Sequence, residues 1–206
     1  MRIYDVSMLI HHDMEVYKNK NEKKPVLTFL KTFPQDGYNE SSILMDIHTG
    51  THIDAPFHMI NQGDTIEKIN LENLITTCYV LDMTFCSGKI TKDDLLKKKI
   101  RAQSFILLKT GNSYESEFNS EFVYLDSSGA AYLSSLSLKG IGIDGLGIER
   151  AQKNHDTHHI LMEKNIIIIE GLRLEEVDEG EYKMIALPLK IKGADGAPAR
   201  IVLIKE

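Results

Sequence analysis

Short and strongly apolar runs recur along this chain, and they constrain its fold more than any other feature. "NIIIIEG" (residues 165–171) contains four consecutive isoleucines, and "FILLK" (105–109) is almost as apolar. Strands of this composition cannot leave one face in water, so we expect them at the buried centre of a sheet. Helix-like patterns at 91–99, 129–136 and 156–164 lie between such runs. The sequence therefore predicts an α/β fold whose β-rich centre contains the runs SILMDIH, CYVLDMTF, SFILLKTG, GIGID, NIIIIEG, MIALPLKI and ARIVLIKE.

No repeat, low-complexity tract or Pro/Gly/Ser-rich linker divides the 206 residues, of which 42% are apolar. A chain of this length and composition can bury one core, so we predict a single domain over residues 1–206. The net charge of −6 argues against nucleic acid or an anionic membrane surface as a partner, because both need concentrated Lys and Arg. The one basic cluster, "LLKKKI" (95–100), follows Thr91, which would cap a short helix and leave the lysines on a solvated face.

The opening segment "MRIYDVSMLI" carries Arg2 and Asp5 within an apolar stretch that is too short for the core of a signal peptide. No run approaches the roughly 20 residues of a membrane-spanning helix. We therefore expect a cytoplasmic protein. In that reducing compartment, Cys78 and Cys86 are predicted to be buried, reduced thiols rather than a disulfide.

The stretch "GIGIDG" (140–145) matches the pattern GxGxxG, which occurs in dinucleotide-binding loops. Such a loop must follow a buried strand and open a helix, whereas the preceding "YLSSLSLK" is typical of a helix and a turn. We therefore predict a short buried strand whose glycines allow close packing, and no dinucleotide. Asp144 within it is expected to be a turn carboxylate.

The eight histidines fall into three groups, and the densest lies in "HTGTHIDAPFH" (48–58). On an extended chain His48, His52 and Asp54 would point to one face, but His48 and His52 would lie roughly 13 Å apart at ~3.3 Å per residue. Two imidazoles share one zinc ion only if each reaches it within ~2.1 Å, so the backbone must bend, and Gly50 permits the bend. Imidazole together with carboxylate indicates a site for zinc, manganese or iron.

A second candidate group lies in and before the isoleucine run. Asp156 can cap a helix that runs to about Lys164, and on that helix His158 points inward better than His159, although either is a possible ligand. Glu170 ends the run, where a buried carboxylate is costly unless it meets a cation. Alternatively, Glu170 emerges into solvent.

The motif at 48–58 matches HxGTHxDxPxH at every fixed position, and in this respect the chain resembles the cyclase family that includes bacterial kynurenine formamidases and isatin hydrolases. The segments YDVSMLIHHDMEVY, FILLKTGN, HHILMEKNIIIIEGL and ALPLKIKGADGAPARIVLI extend the resemblance over nearly the whole chain. The resemblance implies a β-barrel-like mixed sheet with flanking helices, of the swivelling β/β/α type. It also implies a homodimer or homotetramer.

The resemblance further implies a metal centre. His48, His52 and Asp54 would bind one divalent ion, Zn²⁺ or Mn²⁺. Asp54 would bridge to a second ion held by His158 and Glu170. Whether one or two ions are present per subunit stays open.

His58 would then be the proton donor and acceptor rather than a ligand, since an unperturbed histidine pKa of ~6.5 suits proton transfer to a leaving nitrogen. The activity that the resemblance implies is metal-dependent amide hydrolysis of a small molecule. The leading reaction is hydrolysis of N-formylkynurenine to kynurenine and formate by an arylformamidase.

The N-terminal segment departs from the family pattern. Formamidases of the family typically carry a tryptophan there, whereas this chain has no tryptophan and reads "MEVYKNK" at 14–20. Tyr17 would take its place beside the substrate, and His12 is a further candidate contact, although His11 and His12 are equally compatible with a mobile surface. Hydrolysis of a cyclic amide such as isatin, hydrolysis of another acyl substrate, and metal binding without catalysis are the alternatives.

Overall fold

Residues 1–205 are described by a computed structural model, and within them lie three short α-helices and twelve strands. The helices are Lys92–Leu95 (α1), Ser127–Ser134 (α2) and Asp156–Met162 (α3). The strands are Arg2–Asp5 (β1), Val26–Lys31 (β2), Glu40–Leu44 (β3), His52–Asp54 (β4), Ile75–Asp82 (β5), Lys89–Ile90 (β6), Phe105–Lys109 (β7), Tyr124–Leu125 (β8), Gly140–Ile143 (β9), Ile167–Glu170 (β10), Gly180–Pro188 (β11) and Gly196–Lys205 (β12).

Seven of the strands close into a barrel. Their hydrogen-bonded order is β12-β11-β5-β7-β9-β10-β4, and β4 pairs in turn with β12, with Ala197 opposite Ile53. The neighbours β5, β7, β9 and β10 run parallel, whereas the other pairs in the ring are antiparallel. Strand β1 extends the sheet beside β12. This architecture confirms the predicted mixed, barrel-like sheet with flanking helices.

The apolar residues of the parallel strands divide between two cores. Ile167 and Ile169 belong to a cluster that draws on strands all around the ring, and this cluster fills the barrel. Ile166 and Ile168 belong to a second cluster that includes Leu133 of α2 and Leu161 of α3. The isoleucine run is therefore buried on both faces, as its composition predicted.

The three predicted helices are all present. Helices α1 and α3 are shorter than the sequence pattern indicated, whereas α2 has the predicted length of 8 residues but begins at Ser127 rather than at residue 129. Thr91 caps α1 as expected: its side chain accepts from the backbone N–H of Asp94, and the Asp94 carboxylate accepts from the backbone N–H of Thr91. Lys97 and Lys99 of the basic cluster are exposed, as expected for a solvated face, whereas Lys98 is half-buried and pairs with Glu179.

The stretch 140–145 begins with the buried strand β9, as predicted. A Cβ atom on Gly140 would collide with the ring of Phe105, and one on Gly142 would lie 2.6 Å from a methyl group of Leu107. The two glycines therefore allow β7 and β9 to pack closely. They do not form a loop at a helix N-terminus.

Asp144 differs from the expected turn carboxylate, because it is only 2% exposed. It accepts hydrogen bonds from the backbone N–H and the hydroxyl of Thr110, both at 2.7 Å, and from the hydroxyl of Ser113 at 2.7 Å. Burial raises its pKa although these hydrogen bonds oppose the shift. Asp144 thus ties the end of β9 to the turn that follows β7.

Two further expectations concern the strand "SILMDIH" and the cysteines. The strand prediction was wrong beyond Leu44, where β3 ends, because the chain from Asp46 onwards turns towards the bend at Gly50. Cys78 and Cys86 are both free thiols; Cys78 is buried and Cys86 is half-buried. Among the described residues, no helix is long and apolar enough to cross a membrane.

Candidate metal centre and active site

The motif at 48–58 bends sharply before it becomes a strand. Gly50 has φ +72°, a left-handed conformation that glycine adopts without steric cost, and a Cβ atom there would lie 3.2 Å from Met14 Cε. The bend brings the ring centroids of His48 and His52 to 5.0 Å. The predicted bend at Gly50 is therefore present, and β4 begins directly after it at His52.

The pairing of β4 with β10 places a histidine and two carboxylates side by side. His52 lies opposite Glu170, and Asp54 lies opposite Ile168. Because side chains alternate along a strand, His52, Asp54 and Glu170 share one face, which is the outer face of the barrel under α3. His52 Nε2 lies 3.3 Å from Asp54 Oδ1 and 3.4 Å from Glu170 Oε2. Glu170 is 5% exposed and does not emerge into solvent.

Helix α3 contributes the fourth member of this cluster. His158 Nε2 lies 3.6 Å from Asp54 Oδ2 and 3.4 Å from Glu170 Oε1, and the residue is 6% exposed. His159 is half-buried and does not contact these carboxylates. The helix therefore brings His158, rather than its neighbour, to the buried cluster of His52, Asp54, His158 and Glu170, which we call the donor cluster.

The donor cluster fits a divalent cation. His52 Nε2 and Asp54 Oδ2 are buried without a hydrogen-bond partner among residues 1–205. The other ring nitrogen, Nδ1, lies 2.9 Å from the carbonyl oxygen of Gly50, so it carries the proton and leaves the Nε2 lone pair directed into the cluster. Two imidazoles and two carboxylates are ligands that zinc and manganese accept.

Strong electrostatic coupling accompanies this geometry. Burial disfavours charge on His52, but the hydrogen-bonding carboxylates of Asp54 and Glu170 outweigh it and raise the pKa of His52 to about 10. Burial likewise opposes ionisation of Glu170, yet the two neighbouring histidines lower its pKa to about 2. A divalent cation would replace the imidazole protons, because it needs the neutral nitrogen and the ionised carboxylate.

A second group of side chains adjoins the donor cluster on the side of β12. His48 Nδ1 lies 2.9 Å from Asp54 Oδ1, and His48 Nε2 lies 2.9 Å from Asp195 Oδ2. The ring centroids of His48 and His58 are 4.0 Å apart, and His58 Nδ1 lies 3.5 Å from the same Asp195 oxygen. Asp54 thus belongs to both groups.

Asp195 was not among the residues that the sequence indicated. It lies 147 positions after His48 in the turn before β12, and the pairing of Gly196 with Asp54 brings the two segments together. Its only sequence signal is a carboxylate between small residues in "KGADGAP", which is also typical of an ordinary turn.

His58 follows Pro56 in a single turn of 3-10 helix, and one of its ring nitrogens lies within 4.8 Å of ligand atoms of His48 and Asp54. It is partly buried, and this burial lowers its pKa. Its ring centroid lies 5.8 Å from that of His158. His58 therefore lies close to both His48 and His158, and its side chain borders the cavity described below.

Glu149 is a further buried carboxylate that the sequence did not indicate. Its Oε1 lies 3.1 Å from His158 Nδ1, the nitrogen that faces away from the donor cluster, and its Oε2 accepts from the backbone N–H of Thr157 at 2.9 Å. The expectation that Asp156 caps α3 was wrong: Asp156 is the first residue of the helix, and Glu149 satisfies the free N–H groups instead. Glu149 therefore anchors the start of α3 and places a carboxylate beside His158 Nδ1.

Replacing Glu149 with glutamine is expected to weaken metal binding by roughly 10- to 100-fold, because a carboxylate behind a ligating histidine fixes its ring and increases its basicity. Calorimetric titration of metal-free protein with Zn²⁺ measures the effect. Glu121→Gln, which removes an exposed carboxylate paired with Arg150, is the matched control. Unchanged affinity in the Glu149 variant would show that this carboxylate serves only the fold.

A cavity of about 540 Å³ opens beside the two groups. Its wall includes His48, His58, His158 and Glu170, and also the predicted substrate contact Tyr17. The ring of Tyr17 is held in edge-to-face contact with Phe118 and Phe122, at centroid distances of 5.8 and 6.3 Å. Tyr17 thus forms an aromatic wall of a space large enough for a small aryl substrate.

The other predicted substrate contact, His12, is not brought to this cavity. It is exposed, and its Nδ1 lies 3.1 Å from the carbonyl oxygen of Pro25. His11 lines a separate surface pocket with Met8 and Arg173. Neither His11 nor His12 therefore lines the cavity that His58 borders.

A mixed barrel that gathers imidazoles and carboxylates at the edge of a substrate-sized cavity defines a candidate metal-dependent enzyme. The comparisons with known proteins are more specific. The family model described as "Putative cyclase" matches residues 4–150, and the chain belongs to this cyclase family.

Relatives and solved structures agree with that membership. Kynurenine formamidase from Bacillus thuringiensis (strain Al Hakam) is 29% identical over 201 residues, which cover 97% of this chain and 95% of the relative. The structure of a "predicted metal-dependent hydrolase" from Bacillus stearothermophilus is 48% identical, with a TM-score of 0.90 and coverage of 98% and 97%. Isatin hydrolase A from Labrenzia aggregata, at 20% identity, TM-score 0.86 and coverage of 100% and 94%, shares the fold.

Proposed function

We propose that this protein is a metal-dependent hydrolase of amide C–N bonds, and that its leading substrate class is the aryl formamides, represented by N-formylkynurenine. The observation that carries the proposal is the donor cluster, in which buried His52 Nε2 and Asp54 Oδ2 lack partners beside an open cavity. Relatives named kynurenine formamidase, aligned over 97% of the chain, support the choice of substrate.

In this proposal His48, His52 and Asp54 would hold one divalent ion, and His158 and Glu170 would hold a second to which Asp54 would bridge. The ion is Zn²⁺ or Mn²⁺, since both accept this set of ligands. A bound ion would polarise the substrate carbonyl and lower the pKa of a water from about 16 towards ~7. Asp54 contacts members of both sets: its Oδ1 lies 2.9 Å from His48 Nδ1, and its Oδ2 lies 3.6 Å from His158 Nε2. These contacts support the bridging role.

His58 moves the proton in the proposed reaction. His58 accepts a proton from the water that adds to the formyl carbon, and it gives this proton to the leaving nitrogen as the C–N bond breaks. The formic acid that is released loses its own proton to solvent as formate. Asp195, 3.5 Å from His58 Nδ1, orients the ring so that Nε2 remains available to the substrate. Tyr17 packs against the aryl group in the place of the tryptophan that this chain lacks.

The direct test is release of formate from N-formylkynurenine by protein loaded with Zn²⁺ or Mn²⁺. We expect turnover that depends on the added metal. Ring opening of isatin is measured in parallel, because the missing tryptophan favours a second candidate that hydrolyses a cyclic amide. Tight metal binding with no turnover of either substrate would indicate that the protein binds metal without catalysis, and it would reject the proposal.

We further propose that residues 1–206 act as one domain and that a second copy of the chain covers the hairpin formed by β2 and β3. Both faces of this hairpin are in water, and an isolated pair of strands is marginally stable. Eight large side chains of the hairpin region are 46–74% exposed: Val26, Leu27, Phe29, Leu30, Phe33, Tyr38, Ile43 and Leu44. The two free thiols are in keeping with a cytoplasmic location.

Light scattering tests the assembly. We expect a dimer or tetramer for the unaltered chain. The double variant Leu27→Ser with Ile43→Ser, which changes a cross-strand pair, should weaken association by about tenfold or more because apolar anchors dominate interfaces. Leu96→Ser, at a comparably exposed leucine that follows α1, is the control. A monomeric wild-type chain would contradict this assignment.

A further inference from the structure

Lysines are concentrated at the cavity, although the chain as a whole is acidic. The net charge is −6, yet Lys18, Lys20, Lys23 and Lys153 all line the space beside the donor cluster. A cavity lined by one sign of charge raises the local concentration of ligands of the opposite sign. The lysines of this cavity therefore contrast with the acidic character of the chain as a whole.

Most of these charges are available to a ligand. Lys23 is neutralised by Asp46, whose Oδ2 lies 3.0 Å from Nζ. Lys20 has only a loose contact of 3.9 Å with exposed Glu22. Within residues 1–205, Lys18 and Lys153 form no ion pair with a carboxylate.

The carboxylates of the cavity do not cancel these lysines. Glu170 is buried in the donor cluster between His52 and His158. Glu149 is buried against His158 and the start of α3. Both acids are therefore committed to histidines at the base of the cavity, whereas the lysines are at its exposed rim.

The backbone holds one lysine next to the aromatic wall. Lys18 and Asn19 have φ values of +59° and +49°, and two consecutive non-glycine residues in the left-handed region are uncommon. The turn places Lys18 Nζ 5.2 Å from the centre of the Tyr17 ring. An aryl group stacked at Tyr17 would thus have a cation close to its substituents.

We propose that this site selects aryl amides that carry a carboxylate and no compensating ammonium group, with Lys18, Lys20 and Lys153 as the residues that determine the specificity. This inference rests on the proposed hydrolase function and deepens it. N-formylkynurenine bears an ammonium group beside its carboxylate, and the rim repels that ammonium. A purely anionic formamide is therefore the better substrate.

Three formanilides with the same scissile bond test the proposal: para-formamidobenzoate, formanilide and para-(aminomethyl)formanilide. The value of kcat/KM for formate release by the metal-loaded protein should be highest for the anionic substrate, about tenfold lower for the neutral one, and lowest for the cationic one. Added salt should reduce the preference, since screening acts over about 10 Å at about 0.1 M ionic strength. Equal values for the three substrates would overturn the proposal.

Lysine variants test which residues cause the preference for the anionic substrate. The combined change Lys18→Gln, Lys20→Gln and Lys153→Gln should lower the anion-to-neutral ratio of kcat/KM by about tenfold, mainly through KM. The control has the same net charge change at lysines that do not line the cavity, namely Lys92→Gln, Lys97→Gln and Lys99→Gln. Retention of the ratio in the rim variant, or its equal loss in the control, would show that the rim lysines do not select the substrate.

A binding measurement separates this inference from the hydrolase proposal. Calorimetry with para-aminobenzoate and aniline, the products of two of the substrates, reports the charge preference without turnover. Suppose that formanilide is not hydrolysed, but that para-aminobenzoate binds about tenfold more tightly than aniline and that the rim variant abolishes this difference. The hydrolase proposal then fails, whereas the proposed anion site is supported. Equal binding of both amines would reject the anion site, whatever the turnover.

Discussion

Replacement of Asp54 by asparagine is expected to reduce kcat/KM by roughly 10³-fold or more and to remove tightly bound metal, because this carboxylate belongs to both groups of side chains. Its Oδ1 lies 2.9 Å from His48 Nδ1 and 3.3 Å from His52 Nε2. Its Oδ2 is buried without a partner and faces His158. An amide offers one oxygen and no charge, so it cannot bridge two cations.

Plasma mass spectrometry after dialysis, together with the rate of formate release at saturating metal, measures both effects. Asp93→Asn, an exposed aspartate of α1, is the matched control and should behave like the unaltered chain. The folded state of the Asp54 variant is checked by its circular dichroism spectrum. Full metal content and activity in a folded Asp54→Asn protein would remove Asp54 from the centre.

Replacement of His58 by asparagine is expected to leave metal binding intact and to lower kcat by about 10²–10⁴-fold. His58 lies outside the donor cluster, its ring borders the cavity, and Asp195 is positioned to orient it. Loss of a proton donor matters most for a poor leaving group. The defect should therefore be smaller for para-nitroformanilide, whose nitrogen leaves more readily, than for formanilide.

His159→Asn, which changes a half-buried histidine of α3 that does not line the cavity, is the control for loss of an imidazole. Loss of metal from the His58 variant would make His58 a ligand. An equal defect for both leaving groups would assign His58 to substrate binding instead of proton transfer.

Much of the barrel and of the donor cluster was predictable from local sequence. Four consecutive isoleucines require burial on both faces, and the structure divides Ile167 and Ile169 from Ile166 and Ile168 between two cores. The motif at 48–58 needed a bend to bring His48 and His52 together, and Gly50 has the left-handed backbone that makes the bend. These features depend on side-chain alternation and on backbone sterics, which act over a few residues.

Other features of the site depend on the tertiary arrangement of strands and loops. Asp195 reaches His48 only because β12 pairs with β4 and closes the ring, and Glu149 reaches His158 only because a loop folds back over the start of α3. Neither carboxylate stands at a spacing from its histidine that a local pattern would reveal. The same holds for Lys153, which joins Lys18 at the cavity rim from the other half of the chain.

The sequence by itself thus determined which side-chain types form the donor cluster, the bend that groups His48 with His52, and the two-sided burial of the central strands. The tertiary structure alone decided that His158 rather than His159 turns inward to the carboxylates, that His12 stays at the surface, and which acids orient the histidines. The physical reason is that closing the barrel sets the register between strands far apart in sequence. That register, together with the packing of α3, determines which distant charges come within hydrogen-bonding distance.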